Sequence, residues 1–295
     1  MSKLIHVAIA STTSKPGDVQ GNLGQIAEFA QQAARDGADV LLTPEMSACG
    51  YGGYPEVVAT AEKAGGGPIY AELANLAQST GVVVCAGFVE SAGDKRHLAH
   101  YAVFPDGEYA VQRKHRVTRA ELPLDSPVKL VLQGNEVDPA DRGQPVEVMF
   151  SYFHIKGVKC AIAICADSGI KNVNEIFASE KVELVLLPTG AGGKREDRVT
   201  SADLLTAAGR EKYAKILEGV FFPGRAVTDC ILYRRAMAAV NLCGYDGQNL
   251  YHVGHGTITN AMGEVLGFFH GIPNLDRQRP MYAHAVLDVS QTVNP

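Results

Sequence analysis

Apolar positions along the chain fall into short unbroken runs separated by stretches in which they recur at helical spacing. Runs such as LIHVAIA, ADVLL and VELVLL are too short for buried helices and read as strands covered on both faces. The pattern predicts strands near 4–10, 38–43, 82–88, 99–104, 108–112, 158–164, 183–187, 237–241, 256–260 and 282–287. Helical periodicity predicts helices near 22–36, 69–79, 173–180, 202–218 and 226–236. Strands alternating with helices indicate an α/β architecture. Asp125 to Gln144, rich in Gly, Pro and Asp, reads as an excursion loop. Lys194 to Glu218 is a charged stretch of helix formers with Leu204, Leu205, Ala208, Tyr213 and Ile216 loosely at helical period.

Three of the predicted strands end on residues with chemical potential. The run IAIC brings Cys165 to a strand-to-helix turn, where a side chain faces a pocket beside a backbone N–H. Glu45 follows Pro44 just past the strand in ADVLLTPE, at the rim of a sheet rather than in its core. The strand near 108–112 runs into Lys114, with Glu121 seven residues further on. Each has an ordinary structural reading: a free cysteine is usually a small buried apolar side chain, and strand-end charges are usually solvated. The coincidence of an acid, an amine and a thiol at three strand ends is what raises the chemical one.

In order and surroundings these segments resemble the nitrilase superfamily, the carbon–nitrogen hydrolases. The resemblance begins at GDVQGNLGQIAEFAQQAARDGADVLLTPE, passes through AVFPDGEYAVQRKH and GVKCAIAICAD, and ends at RRAMAAVNLCG and GHGTITNAMGEVLG, so it spans most of the chain. It implies a four-layer α-β-β-α sandwich of two sheets between helices, and association into a homodimer or a higher homo-oligomer. It also implies cleavage of a non-peptide C–N bond of a small carboxamide through a cysteine thioester, with no cofactor. Nitrilase or N-carbamoyl amide hydrolysis by the same mechanism, and a catalytically silent interaction protein on the same fold, are the alternatives it leaves open.

The chemistry of the residues agrees. An unperturbed thiol is only slightly ionised at neutral pH, so attack on an amide carbon needs a base within reach. Glu45 suits that task, while Lys114 and the N–H of Ala166 suit the negative charge that develops on the carbonyl oxygen. Glu121 matches the family's second glutamate, positioning the lysine or the substrate. By resemblance and position, Tyr51, Tyr54, Gly169, Thr189, Gly190 and Ala191 are expected to line the pocket. Cys49, four residues after Glu45, is a further candidate, though a buried structural thiol is the simpler reading. No arginine occupies the turn after Cys165, which disfavours carboxylated substrates unless Arg195, Arg198 or Arg210 enters from elsewhere. The long stretch after the Pro188-Thr189-Gly190 turn is expected to cover the pocket mouth or to meet a neighbouring subunit.

Composition adds exclusions. The 295 residues carry a net charge of −5 with scattered basic residues, which argues against a nucleic-acid partner. No secretory leader and no apolar run of membrane-spanning length are visible, so a cytoplasmic protein without membrane contact is expected. The six cysteines show no metal-binding spacing, and the nine histidines, His252 and His255 among them, read as bystanders, so no metal is expected. His115 is expected to point away from Lys114 along an extended segment. The absence of a linker or repeat makes residues 1–295 one carbon–nitrogen hydrolase domain by expectation.

Overall fold

The structure is a computed structural model that describes residues 2–126, 130–131, 148–170, 172–194, 196, 198–219, 224–271 and 279–290. Most of the predicted excursion of residues 125–144, Arg195, and the C-terminal tail from residue 291 lie outside the described residues.

The first sheet is formed by β1 (Leu4–Ser11), β2 (Val40–Leu42), β3 (Val83–Ala92), β4 (Lys95–Val103) and β5 (Tyr109–Arg113). Strands β1, β2 and β3 are parallel neighbours, with Val7 opposite Val40 and Val40 opposite Val83. Two crossover helices, α1 (Val19–Arg35) and α2 (Pro68–Thr80), connect them, as parallel pairing demands. The second sheet contains β6 (Tyr152–Ile155), β7 (Val158–Ile162), β8 (Leu184–Thr189), β9 (Ala236–Asn241), β10 (Gly256–Thr259) and β11 (Val265–Phe269). Here β7, β8 and β9 form the parallel centre, linked by α3 (Val173–Ser179), then α4 (Ala207–Gly219) and α5 (Gly224–Tyr233). The last strand, β12 (Met281–Asp288), returns to the first sheet, antiparallel to β1.

Alternation along β8 explains the layering. Leu184 and Leu186 belong to the core between the sheets, with Ile5, Ile9, Leu41 and Ile258. Val185 and Leu187 face the other way, into a second cluster with Val173 and Phe177 of α3, Tyr213 of α4 and Cys230 of α5. On the far side, Leu23, Ile26 and Ala30 of α1 and Ile69 and Leu73 of α2 cover the first sheet. The result is the expected α-β-β-α order.

Element ends follow local chemistry. Helix α1 starts at Val19, ahead of the predicted start, because the Asp18 carboxylate accepts the N–H of Gly21 at 3.0 Å. Helix α4 starts later than predicted, at Ala207, because Asp203 binds Thr200 and a 3-10 turn occupies Asp203–Leu205. The edge strands β6 and β11 were not among the predicted elements; β11 leaves Val265, Leu266 and Phe268 exposed and so lacks a one-sided apolar signature.

Candidate active site

The site lies where strands β2, β5, β7 and β8 end. Beyond β2 the chain turns sharply at Met46, whose φ is +55°. That turn needs Gly87 beneath it, since a Cβ there would stand 2.2 Å from the Met46 nitrogen. Thr43 and Ser47 brace the turn through their hydroxyls, 2.7 Å apart, and Glu45 is buried at its apex.

Beyond β5, Lys114 extends its ammonium into the interior, where it donates to Glu45 Oε1 at 2.7 Å and to Glu121 Oε1 at 2.5 Å. All three side chains are fully shielded from solvent. Glu121 is held in turn by a capping box, its Oε2 accepting the Thr118 N–H at 2.8 Å, and by the Tyr51 hydroxyl, which donates to Oε1 at 2.7 Å. A buried ammonium between two hydrogen-bonded carboxylates has the compensation that an isolated buried charge lacks.

Cys165 opens a 3-10 turn at the end of the run that contains β7, in the left-handed region with φ +49°. A non-glycine residue there is uncommon and is held by its surroundings. Asp167 supplies much of that hold: buried, it accepts the N–H groups of His115 at 3.0 Å and Arg116 at 2.7 Å. One carboxylate thereby ties the cysteine turn to the lysine segment. The chain bends at His115 rather than continuing extended, and the ring sits on Asp167 and on the Met149 carbonyl.

Electrostatics divide the protons unevenly. Burial, assisted by Glu121 and opposed by Lys114, raises the Glu45 carboxyl to about 7. Burial likewise raises the Cys165 thiol, with Glu45 adding to the effect and Lys114 opposing it. Burial alone would lower Lys114, but the charges of Glu121, Glu45 and Cys165 outweigh it and hold the ammonium protonated. The resting site is therefore a thiol and a lysinium beside a carboxyl poised near neutrality.

The expected lining residues divide. Tyr51 is in the site, and Gly190 touches both it and Glu45: a Cβ on Gly190 would stand 2.3 Å from the Tyr51 ring and 3.1 Å from Glu45 Oε2. Ala166 and Gly169 are half-buried in the cysteine turn, and the Arg116 guanidinium occupies the space beside Gly169, 2.9 Å from where its Cβ would lie. The turn thus has an arginine beside it in space though none in sequence. Thr189 turns its hydroxyl to the Val240 carbonyl and Asn241, and Ala191 presents its carbonyl to Asn241 and His252. Tyr54 donates to Asp246 at 3.2 Å. Cys49 is buried, its thiol pushed up to about 12 by burial and directed at the Met46 and Gly50 carbonyls, which fits the structural reading.

Of the remaining arginines, Arg198 lies over the Tyr251 ring and Arg210 donates to the Leu204 carbonyl. The long stretch is anchored at Gly193–Lys194, paired with Tyr251 and Leu250, and by Tyr213 in the outer layer. Sequence reasoning passed over Asn241 and read His252 as a bystander. The only signal for either was the YHVGH spacing, which does not identify a hydrogen-bond role. Among the described residues no group of three or more His, Cys, Asp or Glu side chains could hold a metal ion, and no helix is long and apolar enough to cross a membrane.

Comparison with known proteins converges on this architecture. Residues 6–209 match the carbon-nitrogen hydrolase family model, and the chain belongs to that family. A carbon-nitrogen hydrolase from Helicobacter pylori G27 shares the fold with a TM-score of 0.74 at 17% identity, over 98% of this chain and 90% of that one. A variant of the amidase from Nesterenkonia sp. AN1 in complex with butyramide does so with a TM-score of 0.65 at 19% identity, over 98% and 92%. Another variant of that amidase carries the acetamide moiety of fluoroacetamide on its active-site cysteine. N-carbamoylputrescine amidase from Solanum lycopersicum is 22% identical over 84% of this chain and 77% of its own length. The chain spans only 60% of the hydrolase of Pseudomonas protegens that it matches at 27% identity, over 63% of its own length.

Proposed function

We propose that the protein is a thiol amidohydrolase that converts a small carboxamide to the acid and ammonia, with Cys165 as nucleophile. The observation that carries this reading is the burial of Glu45, Lys114 and Glu121 in one hydrogen-bonded group, in electrostatic contact with the Cys165 thiol.

Ionised Glu45 takes the thiol proton as the sulfur attacks the amide carbon. The carbonyl oxygen becomes an alkoxide, stabilised by the Lys114 ammonium and the N–H of Ala166; one such donor is typically worth roughly 2.7–4 kcal/mol of the barrier. When the C–N bond breaks, Glu45 returns its proton to the nitrogen and ammonia leaves a thioester. A water then enters, loses its proton to Glu45, and attacks the thioester, and the departing sulfur recovers that proton. Lys114 stays charged throughout, and Glu121 with Tyr51 positions it.

The same constellation serves nitriles and N-carbamoyl amines, which are tested alongside. We read residues 1–295 as one catalytic unit, acting in the cytoplasm as a homo-oligomer. The decisive experiment is ammonia release across a panel of amides, nitriles and carbamoyl compounds, with mass spectrometry of the acyl adduct on Cys165. A Cys165→Ala variant that keeps wild-type turnover, or a wild type that turns over none of the panel and forms no adduct, overturns the reading and leaves the interaction-protein alternative.

A further inference from the structure

A substrate that carries its own negative charge needs a cation other than Lys114. That ammonium is already matched by Glu45 and Glu121, at 2.7 and 2.5 Å, so an acyl chain ending in a carboxylate would meet two acids and no spare positive charge there. Arg116 is placed to supply one. With Val117 it forms a two-residue strand beside Leu130–Val131, and because Val117 is fully buried, the half-buried Arg116 side chain stands on the opposite face. There it meets the cysteine turn: Arg116 Nη1 lies 2.9 Å from where a Cβ of Gly169 would be.

Two features fix this approach. The Arg116 N–H donates to Asp167 Oδ1 at 2.7 Å, and Asp167 lies between Cys165 and Gly169 in one turn, so a single buried carboxylate holds the stem of the arginine against the segment of the nucleophile. The same carboxylate accepts the His115 N–H through both oxygens, at 3.0 and 3.1 Å, which ties the two segments together. Gly169 contributes by having no side chain, which leaves the guanidinium its room against the turn. The arginines expected from elsewhere are engaged elsewhere, Arg198 over the Tyr251 ring and Arg210 on the Leu204 carbonyl. A 3-10 turn rises roughly 2 Å per residue, so the four steps from Cys165 to Gly169 cover about 8 Å, the span of a short acyl chain.

Resting on the reading of Cys165 as the nucleophile, we propose that Arg116 is the specificity residue of this site. The acyl group it selects ends in a carboxylate, as in the monoamide of a short dicarboxylic acid. The planar guanidinium pairs with that carboxylate through two parallel N–H···O bonds while the amide at the other end of the chain meets Cys165. The arginine that the turn lacks in sequence thus reaches it from the lysine segment.

The test compares amides of equal chain length that differ in terminal charge: succinamate against butyramide, and glutaramate against valeramide. In the wild type kcat/KM is expected to favour the charged member of each pair. Arg116→Met, which keeps the stem and removes the fork, is expected to lower the ratio of charged to neutral roughly 10- to 100-fold, chiefly through KM, as loss of hydrogen bonds to a charged group requires. Arg116→Lys keeps the charge without the fork and is expected to recover part of that ratio, a rescue that a merely structural role would not produce. A second readout needs no turnover. Glutarate is expected to slow alkylation of Cys165 by iodoacetamide, followed by mass spectrometry of the Cys165 peptide, in the wild type and not in Arg116→Met. Circular dichroism spectra and melting temperatures near wild type show that the variants fold. A ratio that Arg116→Met leaves unchanged, a wild type that prefers the neutral amides, or equal glutarate protection in the two proteins overturns the assignment of Arg116 alone. Wild-type turnover in Cys165→Ala overturns the underlying reading of the site, and this assignment with it.

Discussion

Glu45 is the residue on which the pH behaviour of the site turns. In the proposed mechanism its carboxyl, raised by burial to about 7, must be ionised to accept the thiol proton. Because the base is active only when deprotonated, kcat/KM is expected to rise with pH and to level off above a midpoint near 7, as a pH–rate profile will show. Glu45→Gln keeps the shape but cannot take a proton, and turnover is expected to fall by roughly 10²–10⁴-fold or more at every pH. Lys114 carries a different burden, because its ammonium lies between Glu45 and Glu121 and pairs with both. Lys114→Met leaves two buried carboxylates facing each other, and a stability loss of about 3–5 kcal/mol is expected from the urea midpoint, together with loss of turnover. Adding Glu121→Gln to that variant removes one of the stranded charges and is expected to recover part of the stability but none of the activity. If the double variant is no more stable than the single one, electrostatic repulsion is not what Lys114 relieves.

At the scale of elements, the site is an assembly of strand ends whose approach depends on two missing side chains. Gly87 lets β3 pass under the Glu45–Met46 turn, and Gly190 lets the end of β8 close on Tyr51 and Glu45. The Tyr51 ring cannot swing aside cheaply, since its hydroxyl is committed to Glu121 at 2.7 Å. Gly190→Ala is therefore expected to displace Tyr51 or the turn itself, lowering the melting temperature and reducing kcat/KM about 10²-fold, because a misplacement of about 1 Å is enough for a catalytic loss of that size. By contrast, Asp18→Ala at the start of α1, which removes only the cap on the Gly21 N–H, is expected to lower stability by about 1 kcal/mol and to leave kcat/KM unaltered. Measured together, the two variants separate the elements that aim the site from those that only hold the sandwich together.

Across the whole molecule, what could be read from the sequence follows from where each segment lies in the four layers. Central strands such as β2, β7 and β8 are covered on both faces, so they appear as unbroken apolar runs, and their ends located Glu45 and Cys165. Strands β6 and β11, at the edges of the second sheet, escaped the pattern, whereas β5 and β12 at the edges of the first were predicted; β11 leaves Val265, Leu266 and Phe268 exposed and carries no one-sided apolar signature. Asn241 and His252 escaped for another reason: their partner Ala191 is 50 and 61 residues away, and a hydrogen bond over that distance leaves no periodic trace. The layering also yields a test of how far core and site are coupled. Leu186 lies in the shared core of the two sheets, fully buried, three residues before Thr189 on the strand that delivers Gly190. Leu186→Ala removes apolar contact and leaves a cavity, so a loss of about 2–5 kcal/mol is expected in the urea midpoint. The hydrogen bonds of Thr189, Asn241 and Ala191 lie beyond the cavity and do not depend on the lost methyl groups. The folded fraction is therefore expected to keep near wild-type kcat/KM and an unshifted pH profile of Cys165 alkylation. A rise of that profile in Leu186→Ala would mean that sheet packing reaches the thiol and helps to set its reactivity.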